Sequence, residues 1–285
     1  MQNIIFSKDR PLQLDLTLNS IKRNWGGDSV VIYKFEKGYE EGYKELEQEH
    51  PEVQFIKQKG NLFNEIIDAI SSDHIAFFTD DDIIFSSARE LLKEEVIEEA
   101  LYDSACLSLR LGLNISKRDY GDGNLVDDNI PNFFPCSNNL FKWNRTSIPT
   151  GGYFSYPLSV DGHVFKKELI LPIIEEINSW MEHCRTNLTF RCSGTPNDLE
   201  SILQRFWFEV PPIMTCHKFS HVVNSPNNRV QSVAKNRNGD KYPIPTRKAY
   251  QLFVGGARIN LDSLMKNLPN IVCPHQELDL LSEIV

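Results

Sequence analysis

Short apolar runs alternate with amphipathic stretches along the first third of the chain. Residues 3–6, 30–35, 53–57 and 74–79 are apolar segments of strand length. Between them, residues 12–25, 39–49 and 62–70 repeat their apolar positions at helical spacing, as Leu14, Leu18 and Ile21 do in the first. The alternation predicts βαβ units around a parallel sheet, an α/β fold. Each loop that leaves a strand then opens at the carboxyl edge of the sheet, where open α/β sheets bind their ligands.

Beyond this region, residues 87–102 set Leu91, Leu92, Val96 and Leu101 against many glutamates and read as a helix, and residues 105–111 read as a further strand. Residues 114–152 are rich in Gly, Asn, Asp and Pro with aromatics between them. They predict irregular structure with room for a hairpin. A helix over 169–181 and a second one starting near Pro196 follow, and then a basic, Asn-rich segment. There is no internal repeat, low-complexity tract or linker, so one domain with a C-terminal extension is expected.

Composition narrows the class. With 285 residues, 41% of them hydrophobic and 17 Phe and 9 Tyr among them, the chain can build a large core, which excludes a mostly disordered protein. No apolar run approaches the roughly 20 residues of a spanning helix. The opening Met1-Gln2-Asn3-Ile4-Ile5-Phe6 leads straight into a strand, so no signal peptide is expected and the expected location is cytoplasmic. The six cysteines contain no C-x-x-C pair and suggest core thiols, not zinc ligands or disulfides. The sequons at Asn144-Arg145-Thr146 and Asn187-Leu188-Thr189 carry no weight without export.

The net charge of −9 is unevenly spread: residues 1–216 hold 21 Lys and Arg against 34 Asp and Glu, whereas residues 217–258 hold 8 against 1. The acidic bulk excludes general nucleic-acid binding. The basic segment suits a small polyanion such as a diphosphate, although a solvated surface explains any single Lys or Arg in it equally well.

The most informative motif is Thr79-Asp80-Asp81-Asp82-Ile83-Ile84, three carboxylates between two apolar runs. Their mutual repulsion has to be offset, and a divalent cation does so, with hard oxygen donors favouring Mg²⁺ or Mn²⁺. On a continuous strand Asp80 and Asp82 would share a face and Asp81 would point away. In Thr195-Pro196-Asn197-Asp198-Leu199-Glu200, Thr195 and Asp198 read as a helix-capping pair with Pro at the first helical position. Glu200 then lies about 100° round from Leu199, beside the apolar stripe, where a carboxylate can serve as a general base. In Gly151-Gly152-Tyr153 and Asp161-Gly162, glycines permit close backbone approach and aromatics offer faces for a sugar ring, though a turn explains Asp161-Gly162 as well. Ser7-Lys8-Asp9-Arg10-Pro11 follows the first strand without a Gly-rich phosphate loop, which counts against dinucleotide-binding and P-loop readings.

The order of these motifs resembles a GT-A-type glycosyltransferase, the nucleotide-sugar-dependent class with one Rossmann-like domain and an Asp-x-Asp motif. The resemblance implies a catalytic domain over residues 1–230, with a nucleotide-binding half at 1–112 and an acceptor-side half at 113–230, and an extension over 231–285 packed on it. It implies that Ser7, Lys8, Asp9, Arg10, Asp80, Asp81 and Arg229 bind the donor, that Asp82 binds Mn²⁺ or Mg²⁺, and that a late histidine, His217 or His221, joins the metal. Gly152, Tyr153, Asp161 and Gly162 fall on the acceptor side. Glu200 or Asp198 stands where inverting members place their base, with Glu200 favoured because capping employs Asp198. The implied partners are a nucleotide-sugar donor, UDP-linked by preference, and a saccharide or glycolipid acceptor, with polysaccharide biosynthesis as setting and the enzyme cytoplasmic or peripheral to a membrane. Three readings compete: a sugar-nucleotide nucleotidyltransferase, a metal-dependent phosphohydrolase, and a non-catalytic nucleotide- or carbohydrate-binding protein.

Overall fold

The computed structural model describes residues 1–119, 124–186, 195–230 and 241–285, without side chains for 182–186. The sequon at 187–189, Cys192 and the side chain of Cys184 lie outside the described residues. The other cysteines, Cys106, Cys136, Cys216 and Cys273, are free thiols.

The N-terminal units follow the predicted order: β1 (Gln2–Lys8), α1 (Pro11–Asn24), β2 (Asp28–Lys34), α2 (Glu40–Glu49), β3 (Gln54–Lys57), α3 (Leu62–Ala69) and β4 (His74–Thr79). Then come β5 (Asp82–Ile84), α4 (Glu94–Leu101), β6 (Ser104–Ser108), β7 (Lys117–Asp119), β8 (Leu125–Asp127), β9 (Phe134–Pro135) and β10 (Leu140–Asn144). The order closes with β11 (His163–Lys166), α5 (Lys167–Thr186), α6 (Pro196–Leu203), β12 (Ile213–His217), β13 (Val222–Asn224), α7 (Thr246–Val254) and α8 (Leu261–Lys266).

Nine strands form one sheet in the order β3-β2-β1-β4-β11-β6-β12-β10-β9. All but β10 and β11 run the same way, so the sheet is mixed and mostly parallel, and helices flank it. Both faces are covered, which is why β1 and β4 are near-continuous apolar runs, with Ile4, Ile5, Phe77 and Phe78 fully buried. Pro11 starts α1 at a position where its missing N–H costs nothing. This helix packs against β5, α2, α7 and α8, which buries polar as well as apolar positions on it.

Four differences from the sequence reading have local causes. The helix expected over 87–102 is split, because Lys93 is extended (φ −64°, ψ 133°) between a 3₁₀ turn at Arg89–Leu92 and α4. The strand expected over 105–111 leaves the ladder at Ser108, and Leu109 N–H instead donates to Gly162 O. The irregular stretch contains two hairpins, β7-β8 and β9-β10, and the second extends the main sheet. Finally, β5 pairs antiparallel with β13, with Asp82 opposite Asn224.

At the start of α6, Thr195 Oγ1 accepts from Asp198 N–H while Asp198 Oδ2 accepts from Thr195 N–H, a reciprocal capping box. Thr195→Ala is expected to cost about 1 kcal/mol of stability, read as a shift in the urea midpoint without a change in slope.

Candidate functional site

A cavity of about 580 Å³ opens at the carboxyl edge of β1, β2 and β4. Its wall includes Ser7, Lys8, Arg10, Asp80, Asp81, Gly152, Tyr153, Asp161, Glu200 and Arg229, residues that the sequence scatters over more than 200 positions.

The acidic triplet is built differently from a continuous strand. β4 ends at Thr79, Asp80 and Asp81 form the turn, and Asp82 begins β5. Asp80 and Asp81 therefore both face the cavity, and it is Asp82, fully buried, that lies behind the wall. Asp80 Oδ2 accepts from Ser7 Oγ (2.8 Å) and from Lys8 N–H (3.1 Å). Arg10 Nη1 donates to Asp80 Oδ1 and to Asp81 Oδ2, each at 2.8 Å, and Arg10 Nη2 donates to Asn228 O. Asp82 Oδ2 accepts from Thr79 N–H (2.8 Å) and Asp82 Oδ1 accepts from Asn224 Nδ2 (3.1 Å).

The Thr79 hydroxyl is the meeting point of this cluster. It lies 2.9 Å from Asp81 Oδ1, 3.2 Å from Asp82 Oδ2 and 3.3 Å from Asp161 Oδ1, and it accepts from Asn224 Nδ2 at 3.1 Å. One hydroxyl proton serves only one of those three oxygens. Burial pushes Asp80 up to about 6 despite the pull of Arg10. Burial, together with Asp161 and Asp81, holds Asp82 well above the ordinary carboxylate range.

On the opposite wall, Asp161 Oδ2 accepts from Arg110 Nη1 (2.8 Å) and lies 3.2 Å from His275 Nε2. Burial alone would raise this carboxyl, but the His275 hydrogen bond and the Arg110 charge bring it down to about 2. Tyr153 OH lies 3.0 Å from His275 Nδ1 and orients the ring. Glu200 Oε1 accepts from Ser159 Oγ (2.9 Å) and Val160 N–H (3.4 Å). Burial and the charge of Asp161 raise its pKa, while Asp198 is held by the capping box.

Six sequence-derived candidates do not join the cavity wall: Asp82 and Asp198, placed above, and four others. Asp9, in a left-handed conformation (φ +58°), turns its carboxylate to Glu36 N–H at 2.7 Å. Gly162, also left-handed (φ +65°), bridges the ladder between Phe77 O and Leu109 N–H, and a Cβ there would press on Val222 at 3.2 Å. His217 and His221 pair with each other (Nδ1 to Nε2, 2.9 Å) and not with the acidic triplet, because the turn after β12 directs His221 to Ser86 and His217 toward Glu90.

Sequence reasoning missed Arg110, Asn224, Ser159 and His275. An arginine inside the apolar run 105–111 was a visible signal for the first, since a buried charge needs a partner. Nothing local marks His275. It reaches the cavity because residues 274–276 lie beside β13, with Asn224 N–H donating to Pro274 O and Gln276 N–H donating to Asn224 O.

The donor set fits a divalent cation. Of the five carboxyl groups Asp80, Asp81, Asp82, Asp161 and Glu200, the first two pair with Arg10 and Asp161 with Arg110, and Asp80, Asp82 and Glu200 are raised by burial and by the neighbouring carboxylates. Asp81 and Asp161 present hard oxygen donors to the cavity, and His275 adds an imidazole nitrogen. The set of three donor groups already gathered within 4.8 Å among the described residues, Asp15, Glu49 and His50, lies elsewhere and is engaged with Arg258 through Glu49.

No helix among the described residues is long and apolar enough to cross a membrane. No family model matches the chain, and no curated protein matches it. Among solved structures it is similar to S. aureus TarS 1-349, with a TM-score of 0.44 and 11% identity over 77% of this chain and 57% of that one. It is also similar to TarS 1-349 in complex with UDP (TM-score 0.38, 12% identity, 62% and 48% of the two chains). The third is the apo-form glycosyltransferase GlyE of Streptococcus pneumoniae TIGR4 (TM-score 0.35, 9% identity, 93% and 62%). The chain spans less than two thirds of the length of each.

Proposed function

We propose that this protein is a metal-dependent glycosyltransferase that moves a sugar from a nucleoside diphosphate donor to a hydroxyl of a saccharide or glycolipid. The observation that supports the reading is a single cavity with an arginine-tied acidic corner, Arg10 with Asp80 and Asp81, and a separate half-buried carboxylate, Glu200. An acidic corner alone suits many phosphate enzymes. The added raised carboxylate is what an acceptor hydroxyl needs.

In this reading Asp81, Asp161 and His275 hold Mn²⁺ or Mg²⁺, with Asp82 behind them fixing Thr79 and Asn224. The cation would supply charge neutralisation for the departing diphosphate. Lys8 and Arg229 face the same departing group, and Ser7 and Asp80 fix the loop that carries Arg10. Glu200, oriented by Ser159 and Val160 N–H, takes the proton from the acceptor hydroxyl, which implies a single displacement with inversion. Tyr153 and Gly152 face the acceptor.

The test is thermal stabilisation by nucleoside diphosphates with and without Mn²⁺, followed by assay of donor turnover. A metal-dependent rise in melting temperature for one diphosphate is expected. EDTA should abolish turnover and Mn²⁺ restore it, and Asp81→Asn should raise the Mn²⁺ concentration for half-maximal rate by about tenfold or more. Stabilisation that ignores the metal, without any donor cleavage, would instead make the cavity a binding site.

A further inference from the structure

Strands β1 and β2 run in register, so Phe6 lies beside Ile32, and one step of the same face further on Lys8 lies beside Lys34. All four line the cavity, as does Leu62 from the first turn of α3. The end of the cavity over β2 is thus an apolar floor, Phe6, Ile32 and Leu62, rimmed by lysine. Two strand spacings, about 10 Å, separate β2 from β4 and its acidic turn. That is the reach of a nucleoside from its diphosphate to the far edge of its base.

The two lysines differ in occupation. Lys8 Nζ donates to Glu36 and to Val230 O. Lys34 is half-buried, and its ammonium makes no hydrogen bond or ion pair among the described residues. Burial and neighbouring Lys8 push its pKa down, against the pull of Asp198, Asp9 and Glu65. An ammonium group carries donors only, so it favours a carbonyl oxygen and disfavours an exocyclic amino group.

We propose that Lys34 selects the donor nucleobase, accepting a base that turns a carbonyl edge to it, uracil in particular, and rejecting the amino edge of cytosine. The inference rests on the nucleoside diphosphate reading above. Uracil and cytosine differ at that edge by a carbonyl against an amino group, and at N3 by a donor against an acceptor, so the change in the UDP-to-CDP ratio on replacing Lys34 reads the contact. A site built to donate to an oxygen rejects the amino analogue because a buried donor then faces a donor.

The experiment is calorimetric titration of UDP, CDP, GDP and ADP, each with Mn²⁺, into the wild type and into Lys34→Met, Lys34→Arg and Lys34→Glu. The wild type is expected to bind UDP at least tenfold more tightly than CDP. Lys34→Met should bring that ratio to within threefold while binding stays Mn²⁺-dependent, Lys34→Arg should keep the preference, and Lys34→Glu, an acceptor, should turn it toward CDP. An undiminished UDP preference in a folded Lys34→Met protein, or a wild type that prefers CDP, overturns the inference alone. Failure of all four nucleotides to bind the wild type overturns the donor reading along with it.

Discussion

Replacing Glu200 by glutamine is expected to lower kcat by about 10²- to 10⁴-fold, the range that a positioned general base supplies. Gln keeps the size and one acceptor for Ser159 Oγ, so α6 and the wall it forms should persist. Donor affinity, measured by calorimetry with Mn²⁺, should change little, because in the proposed reading Glu200 acts on the acceptor. The pH profile gives an independent check. The base works deprotonated, and burial with Asp161 raises its pKa, so the wild-type rate should fall on acidification through a limb displaced upward from the ordinary value near 4.3. That limb should vanish from the residual activity of the variant. A Gln variant with wild-type kcat would remove Glu200 from the chemistry and leave the diphosphate corner untouched.

Asp161→Asn should produce the largest loss of stability among the site variants, about 3–5 kcal/mol, measured as a change in urea midpoint. Arg110 is 2% exposed, its Nε has no hydrogen-bond partner among the described residues, and its Nη1 donates to Asp161. Removing the carboxylate charge leaves a buried guanidinium without its counter-ion. The double variant Arg110→Met with Asp161→Leu should regain much of that stability, since an apolar pair of similar volume replaces a costly ionic one, while turnover stays lost. A loss below about 1 kcal/mol in Asp161→Asn would mean that water or another carboxylate already compensates Arg110. The acid limb has a definite sign: a carboxyl at about 2 in the folded state against an ordinary 3.8 stabilises the fold above about pH 4. That contribution fades as the pH falls toward 2.

The parallel half of the fold was legible because its strands are buried on both faces and its helices keep one apolar stripe. β1 to β4 and α1 to α3 therefore match the pattern to within a few residues. What the pattern concealed was pairing at long range. Nothing in Val222 to Asn224 announces a partner at Asp82, yet with that pairing the acidic triplet forms a corner in which Asp81, not Asp82, joins Asp80 on the cavity wall. The capping box at Thr195 was readable because its rule spans only three residues. His275 was not, because its position is set by backbone contacts to Asn224, whereas His217 and His221 were named because the family resemblance implies a late metal-binding histidine.

The strand-side contact that brings residue 275 to Asp161 also sets a timetable. Arg10, Asp80 and Asp81 are translated early, but Asp82 pairs with Asn224 and Arg10 Nη2 donates to Asn228 O, so the corner is complete only once Asn228 is made; His275 follows it by about 47 positions, or about 2–10 s at ordinary rates of synthesis. During that interval the diphosphate corner can form while the opposite wall lacks its histidine and Tyr153 lacks the ring that its hydroxyl meets. If the proposed function holds, a nascent chain would then be able to hold a nucleotide before it could process one, and ribosome-bound intermediates should be nucleotide-binding and catalytically silent.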